Sequence, residues 1–153
     1  MAKIYTLDQA FKKCSADGMF VPHVIDTAKI ESMLMIADED VLSINDLRLK
    51  ERWNTLYKLQ YDVLHSLAEA MILLDGMKSA NHQCLFAWVC AKCPHLELDW
   101  NFFEAFRIKR NGIHYHGRQI VCEDCKETEL QWNLYINTLK KEIVSRLKEM
   151  PAC

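Results

Sequence analysis

The segment from Trp53 to Leu74 constrains this chain most. Leu56, Leu59, Val63, Leu67, Ala70 and Leu74 recur at three- and four-residue steps, and Tyr57, Leu64 and Met71 widen the stripe. A strand places alternate residues on one face, so only a helix gathers this set on one side. The run amounts to about six turns at 3.6 residues per turn, closed by Gly76. A helix with so wide an apolar face cannot stay single in water, and other amphipathic helices must cover it.

The flanking sequence supplies them. Asp26 or Thr27 can cap a helix carrying Ile30, Met33, Leu34 and Ala37. Asp38-Glu39-Asp40 then reads as a break or a solvated turn. Beyond it Val41, Ile44, Leu47 and Leu49 resume the pattern. Ser79-Ala80-Asn81-His82 opens a helix with Cys84, Leu85, Trp88 and Val89, which must end before Pro94. Asp99 starts another, Trp100 to about Tyr115, stopped by Gly117. Leu130, Leu134, Ile136, Leu139, Ile143, Val144 and Leu147 mark a terminal helix. Strand signals are weak, with only His114 to Val121 hinting at extended chain. Four Gly and three Pro among 153 residues also argue against a turn-rich β plan. The expected fold is an all-α, up-and-down helical bundle of four to five main helices. The bundle occupies residues 23–150. Residues 1–22 form an N-terminal arm or short element, with a possible short helix around Ala10 to Cys14 and Pro22 as its limit.

Half the residues are hydrophobic, enough for one substantial core, while 26% are charged and the net charge is −2. That balance excludes a global polycation field for nucleic acid, so an anion site must be local. The N-terminus shows neither the apolar stretch nor the small-residue cleavage site of a signal peptide. No apolar run approaches the ~18 residues of a membrane span. The seven cysteines therefore read as reduced thiols in a cytoplasmic protein with no membrane partner.

Within this slightly acidic chain, residues 107–118 hold four cations and two histidines. On a helix Arg107, Arg110 and His114 share one face, bordered by Asn111, while Phe102, Phe106 and Ile113 form a neighbouring stripe that buries. His116 lies past the last regular turn. Guanidinium forks grip phosphate oxygens in pairs. A histidine near neutrality can take a 2′-hydroxyl proton, and Arg can stabilise the charge that develops on phosphorus, with no metal or cofactor required. A solvated helix end gives the same composition, because cations there are favourable by ~0.3–1 kcal/mol without any ligand.

Arg110-Asn111-Gly112-Ile113-His114-Tyr115-His116-Gly117 resembles the signature of the HEPN superfamily (higher eukaryotes and prokaryotes nucleotide-binding domain). The order of segments over residues 24–149 is similar too. A long helix ends at Leu74-Asp75-Gly76-Met77-Lys78, Asn81-His82 opens the next, and an Arg-Asn helix and a terminal helix follow. The resemblance implies an all-α bundle that forms a homodimer, with the Arg-Asn helices meeting near a two-fold axis. Many members are metal-independent ribonucleases, often toxins with an antitoxin partner. Others are binding domains, for instance beside a minimal nucleotidyltransferase. Arg110 and Asn111 match the Arg-Asn pair. His116 falls within the family's gap of four to six residues after Arg110, and His114 falls within it only when counted from Arg107. The commonest position is Tyr115. Two functions follow. One is a dimeric module binding nucleotide, RNA or a partner protein through Arg107, Arg110 and Asn111. The other is a metal-independent endoribonuclease with Arg110, Asn111 and His116 or His114 as catalytic residues.

His82 reads as a capping or packing histidine at a helix start, and His65 as a polar flank of the long helix. Cys90-Ala91-Lys92-Cys93 and Cys122-Glu123-Asp124-Cys125 are two C-x-x-C pairs with zinc-like spacing. The intervening helix, about 24 Å long at 1.5 Å per residue, separates them. Trp132 and Tyr135 read as core or interface residues. The chain lacks the glycine motifs of phosphate loops, dinucleotide folds and hydrolase elbows.

Overall fold

The computed structural model describes residues 3–151. Six α-helices, α1 (Leu7–Ala16), α2 (Thr27–Leu49), α3 (Trp53–Leu74), α4 (His82–Lys92), α5 (Trp100–His116) and α6 (Cys122–Glu149), make an all-α bundle. Two short strands, β1 (Val21–Pro22) and β2 (Met77–Lys78), pair antiparallel. With two residues each they fasten the loops and form no layer.

The segment that reads most strongly as a helix is the axis of the bundle. α3 packs on α2, α4, α5 and α6, and Leu56, Val63, Leu64, Leu67, Ala70, Met71 and Ile72 are fully enclosed. Side chains of that size contribute roughly 1.5–3 kcal/mol each when buried. Rings fill the space between α3, α5 and α6. Tyr57 stacks on Phe106 at 4.3 Å and Phe103 on Tyr135 at 5.5 Å. Trp132 and Tyr135 are core residues with their polar ends satisfied. The Trp132 indole donates to the Gln60 carbonyl at 2.9 Å, and the Tyr135 hydroxyl accepts from the Asp99 amide at 2.8 Å.

Local signals set the helix ends. Asp26, Asn81 and Asp99 cap α2, α4 and α5 with side-chain oxygens that accept from backbone amides at 2.9–3.0 Å. Gly117 ends α5 at φ +62°, where the Arg118 amide turns back to the Gly112 carbonyl at 3.0 Å.

Three expectations need correction. α2 runs without a break through Asp38-Glu39-Asp40. Ile30, Ala37 and Ile44 are buried at seven-residue spacing, so the apolar stripe continues while Asp38 and Glu39 face water. Asp38 also pairs with Lys140 of α6. Second, residues 114–116 remain helical, and residues 118–121 after Gly117 form no strand. Third, the cysteines are not all reduced. Cys14 and Cys84 form a disulfide across a 70-residue separation. α1 packs on α4, which brings their Cα atoms to 5.6 Å, within bridging range. Neither residue shows the other in sequence. Cys153 lies outside the described residues. Among the described residues no helix is long and apolar enough to cross a membrane.

Candidate functional site

The four cations of residues 107–118 receive four different environments. Lys109 pairs with Asp124 of α6 at 3.0 Å and closes the α5–α6 corner. Arg107 is held by Glu104 one turn earlier, Nε to Oε1 at 2.8 Å and Nη2 to Oε2 at 3.1 Å. Glu104 is buried and also accepts from the Gln83 amide of α4 at 2.7 Å. The Arg107–Glu104 hydrogen bonds hold the Arg107 guanidinium still more firmly protonated. Arg118 is exposed, its stem folded against Gly112.

Arg110 is the exception. Among the described residues no carboxylate pairs with it. Its Nε is buried without a hydrogen-bond partner among those residues, and the one hydrogen bond it makes with them is long, Nη1 to the Asn111 side-chain oxygen at 3.4 Å. The guanidinium carbon lies 5.1 Å from the centre of the Tyr61 ring of α3. A cation over an aromatic face gains about 0.5–2 kcal/mol and keeps its charge available to a ligand.

A cavity of about 280 Å³ opens beside it, lined by Arg107, Arg110, Asn111 and Tyr115 from α5 and by Asn81, His82 and Gln83 from the start of α4. The structure thus brings together three of the five residues singled out from the sequence. His114 and His116 do not line it. Both are exposed, and the His114 ring sits edge-on to Tyr115 at 4.9 Å.

The histidine of the cavity is His82. Asn81 does the capping, which leaves the imidazole to meet α3. Its Nδ1 is 3.0 Å from the Tyr61 hydroxyl, and its ring centre is 4.1 Å from that of His65. Burial, then the Arg110 and Arg107 charges, push the His82 pKa down. Burial, then His82 and Arg110, push His65 down to about 4. Burial pushes the Tyr61 phenol up. At neutral pH both imidazoles are therefore uncharged and the phenol keeps its proton. Nothing in the sequence singles out Tyr61, and His65 reads there only as a polar flank of the long helix. Their only trace was polar groups at i and i+4 on the edge of the α3 stripe, alongside Tyr57.

The cysteine pairs form no comparable site. α5 is continuous between them, with Cys90 and Cys93 at the end of α4 and Cys122 and Cys125 at the start of α6. Among the described residues no three His, Cys, Asp or Glu side chains gather as metal ligands. Burial pushes the Cys90 thiol up to about 12 and Cys125 up to about 11. Such thiols are protonated and unreactive at neutral pH. Asp75 accepts from the Trp88 indole at 2.7 Å and pairs with Arg146.

No family model, curated protein or solved structure matches this chain.

Proposed function

We propose that the protein is a HEPN-type homodimeric module that binds a nucleotide or RNA phosphate on the α4–α5 face without chemistry. The uncompensated Arg110 charge is the observation that supports this most strongly. A guanidinium stacked on an aromatic ring, partly desolvated and without a carboxylate, is costly to keep unless an anion visits it. Arg107 and Asn111 supply further donors around the same cavity. Binding is favoured over cleavage because His114 and His116 stand outside the cavity.

Fluorescence anisotropy with a 5′-fluorescein-labelled U10 RNA tests the reading. Wild type binds, with affinity falling as salt rises, and Arg110→Ala weakens binding about 10- to 100-fold, the worth of one charge-assisted contact. Equal binding by Arg110→Ala overturns the site. Cleavage of the RNA in chelator, leaving a 2′,3′-cyclic phosphate, overturns the binding-only reading in favour of the endoribonuclease.

A further inference from the structure

The Tyr61 phenol has a single hydrogen-bond partner among the described residues, His82 Nδ1 at 3.0 Å. A protonated phenol with one acceptor donates to it. The acceptor lone pair of the neutral imidazole is then at Nδ1 and its proton at Nε2. His65, half-buried with its ring centre 4.1 Å away, covers the imidazole on the α3 side. His82 thus has a fixed tautomer and two α3 neighbours, Tyr61 and His65. The rim it completes already carries Arg110 and Asn111.

We propose that His82, locked by Tyr61 in its Nε2–H form, contacts the ligand and donates that hydrogen to a phosphate oxygen held by Arg110. This deepens the phosphate-binding reading and rests on it. The ligand histidine thereby comes from α4 and not from the His114/His116 turn of α5. It is a donor and a specificity residue, not a base, because Tyr61 occupies its lone pair.

The charges facing the imidazole set the class of phosphate. From α5 these are Arg107, itself paired with Glu104, and Arg110, and from α3 Asp62 and Glu69, with Tyr61 and His65 uncharged. Glu104 matches Arg107, and neither Asp62 nor Glu69 lines the cavity, so among the lining residues Arg110 is the free positive charge of the rim. One free cation plus a neutral donor complements the single negative charge of an internucleotide phosphodiester. A terminal phosphate carries nearly two charges at neutral pH and would draw a second proton onto His82 Nδ1, with the Tyr61 hydroxyl turning from donor to acceptor. The site therefore takes a phosphodiester with no change in protonation, and a phosphomonoester only with proton uptake.

Binding of the labelled U10 RNA, with folding checked by circular dichroism, decides the point. His82→Ala weakens binding about tenfold, the loss of one donor to a charged group. His82→Gln, whose amide reaches a similar position, recovers most of it. Tyr61→Phe keeps the ring under Arg110 but frees the tautomer, and weakens binding a few-fold. His114→Ala and His116→Ala stay within twofold of wild type. Nitrogen-15 spectra of the histidine rings place the His82 proton on Nε2, with a shift at that nitrogen when RNA is added. Titration with UpU and with 3′-UMP in two buffers of different ionisation enthalpy shows proton uptake for 3′-UMP alone. If Arg110→Ala loses binding while His82→Ala and wild type bind alike, this assignment fails and the phosphate site stands. A proton found on Nδ1 also overturns it. If wild type binds no RNA, the phosphate-binding reading fails first, and this assignment with it.

Discussion

Arg107 and Arg110 are three residues apart on one helix and look equivalent in sequence. Glu104 separates them in the fold, neutralising one and leaving the other bare. Glu104→Gln therefore acts in two opposite directions. It leaves Arg107 without a counter-charge and lowers the unfolding free energy by about 1–3 kcal/mol, measurable by urea titration. It also makes the rim more positive and tightens RNA binding. A fall in both quantities would show that Glu104 serves only to hold the structure. His65 makes a pH prediction. Its folded pKa, about 4 against 6.5 for the free side chain, means the unfolded chain binds the proton more readily. Stability is then complete above pH 6.5 and declines as pH falls toward 4, by about 2–3 kcal/mol. His82, shifted the same way, adds to the decline. Urea unfolding at pH 7 and pH 4.5 should show it, and His65→Gln should flatten the difference.

At the scale of elements, helix positions were largely legible. The stripe from Trp53 to Leu74 marks α3 from end to end. Asn81, Pro94, Asp99 and Gly117 bracket α4 and α5 because caps and breakers act through their own backbone neighbourhood. α2 was misread at Asp38-Glu39-Asp40 because a charge run and a turn have the same composition. What distinguishes them is whether the apolar period keeps its phase across the run, and Ala37 to Ile44 keeps it. The pairing of α1 with α4 was not legible, since α1 reads as an ambiguous short segment and its partner lies 70 residues on. The Cys14–Cys84 bridge closing that span should contribute about 2–4 kcal/mol by restricting the unfolded chain. The double variant Cys14→Ser/Cys84→Ser should therefore melt several degrees lower than wild type. Dithiothreitol should lower the wild-type midpoint and leave the variant unchanged. Equal midpoints would show that the thiols are not bridged in solution.

For the molecule as a whole, the proposed homodimer places two α5 helices against each other. Ile108 and Tyr115, both exposed and seven residues apart on α5, form the apolar edge beside the cavity that such contact would cover. Analytical ultracentrifugation should give twice the chain mass, and Ile108→Asp should return a monomer. A monomeric wild type at micromolar concentration would remove the two-fold arrangement while leaving the cavity in place.

The sequence alone determined that this chain is a helical bundle, that Trp53 to Leu74 is a helix with a wide apolar face for other helices to cover, and that Arg107 and Arg110 share a face bordered by Asn111. Those properties follow from periodicity and from groups a few residues apart. Only the tertiary structure decided that Arg110 stacks on Tyr61, that His82 and not His114 or His116 lines the cavity beside it, and that Cys14 reaches Cys84. Each of those is a contact between separate helices, and helical spacing orients side chains around one axis without saying which other axis they will face.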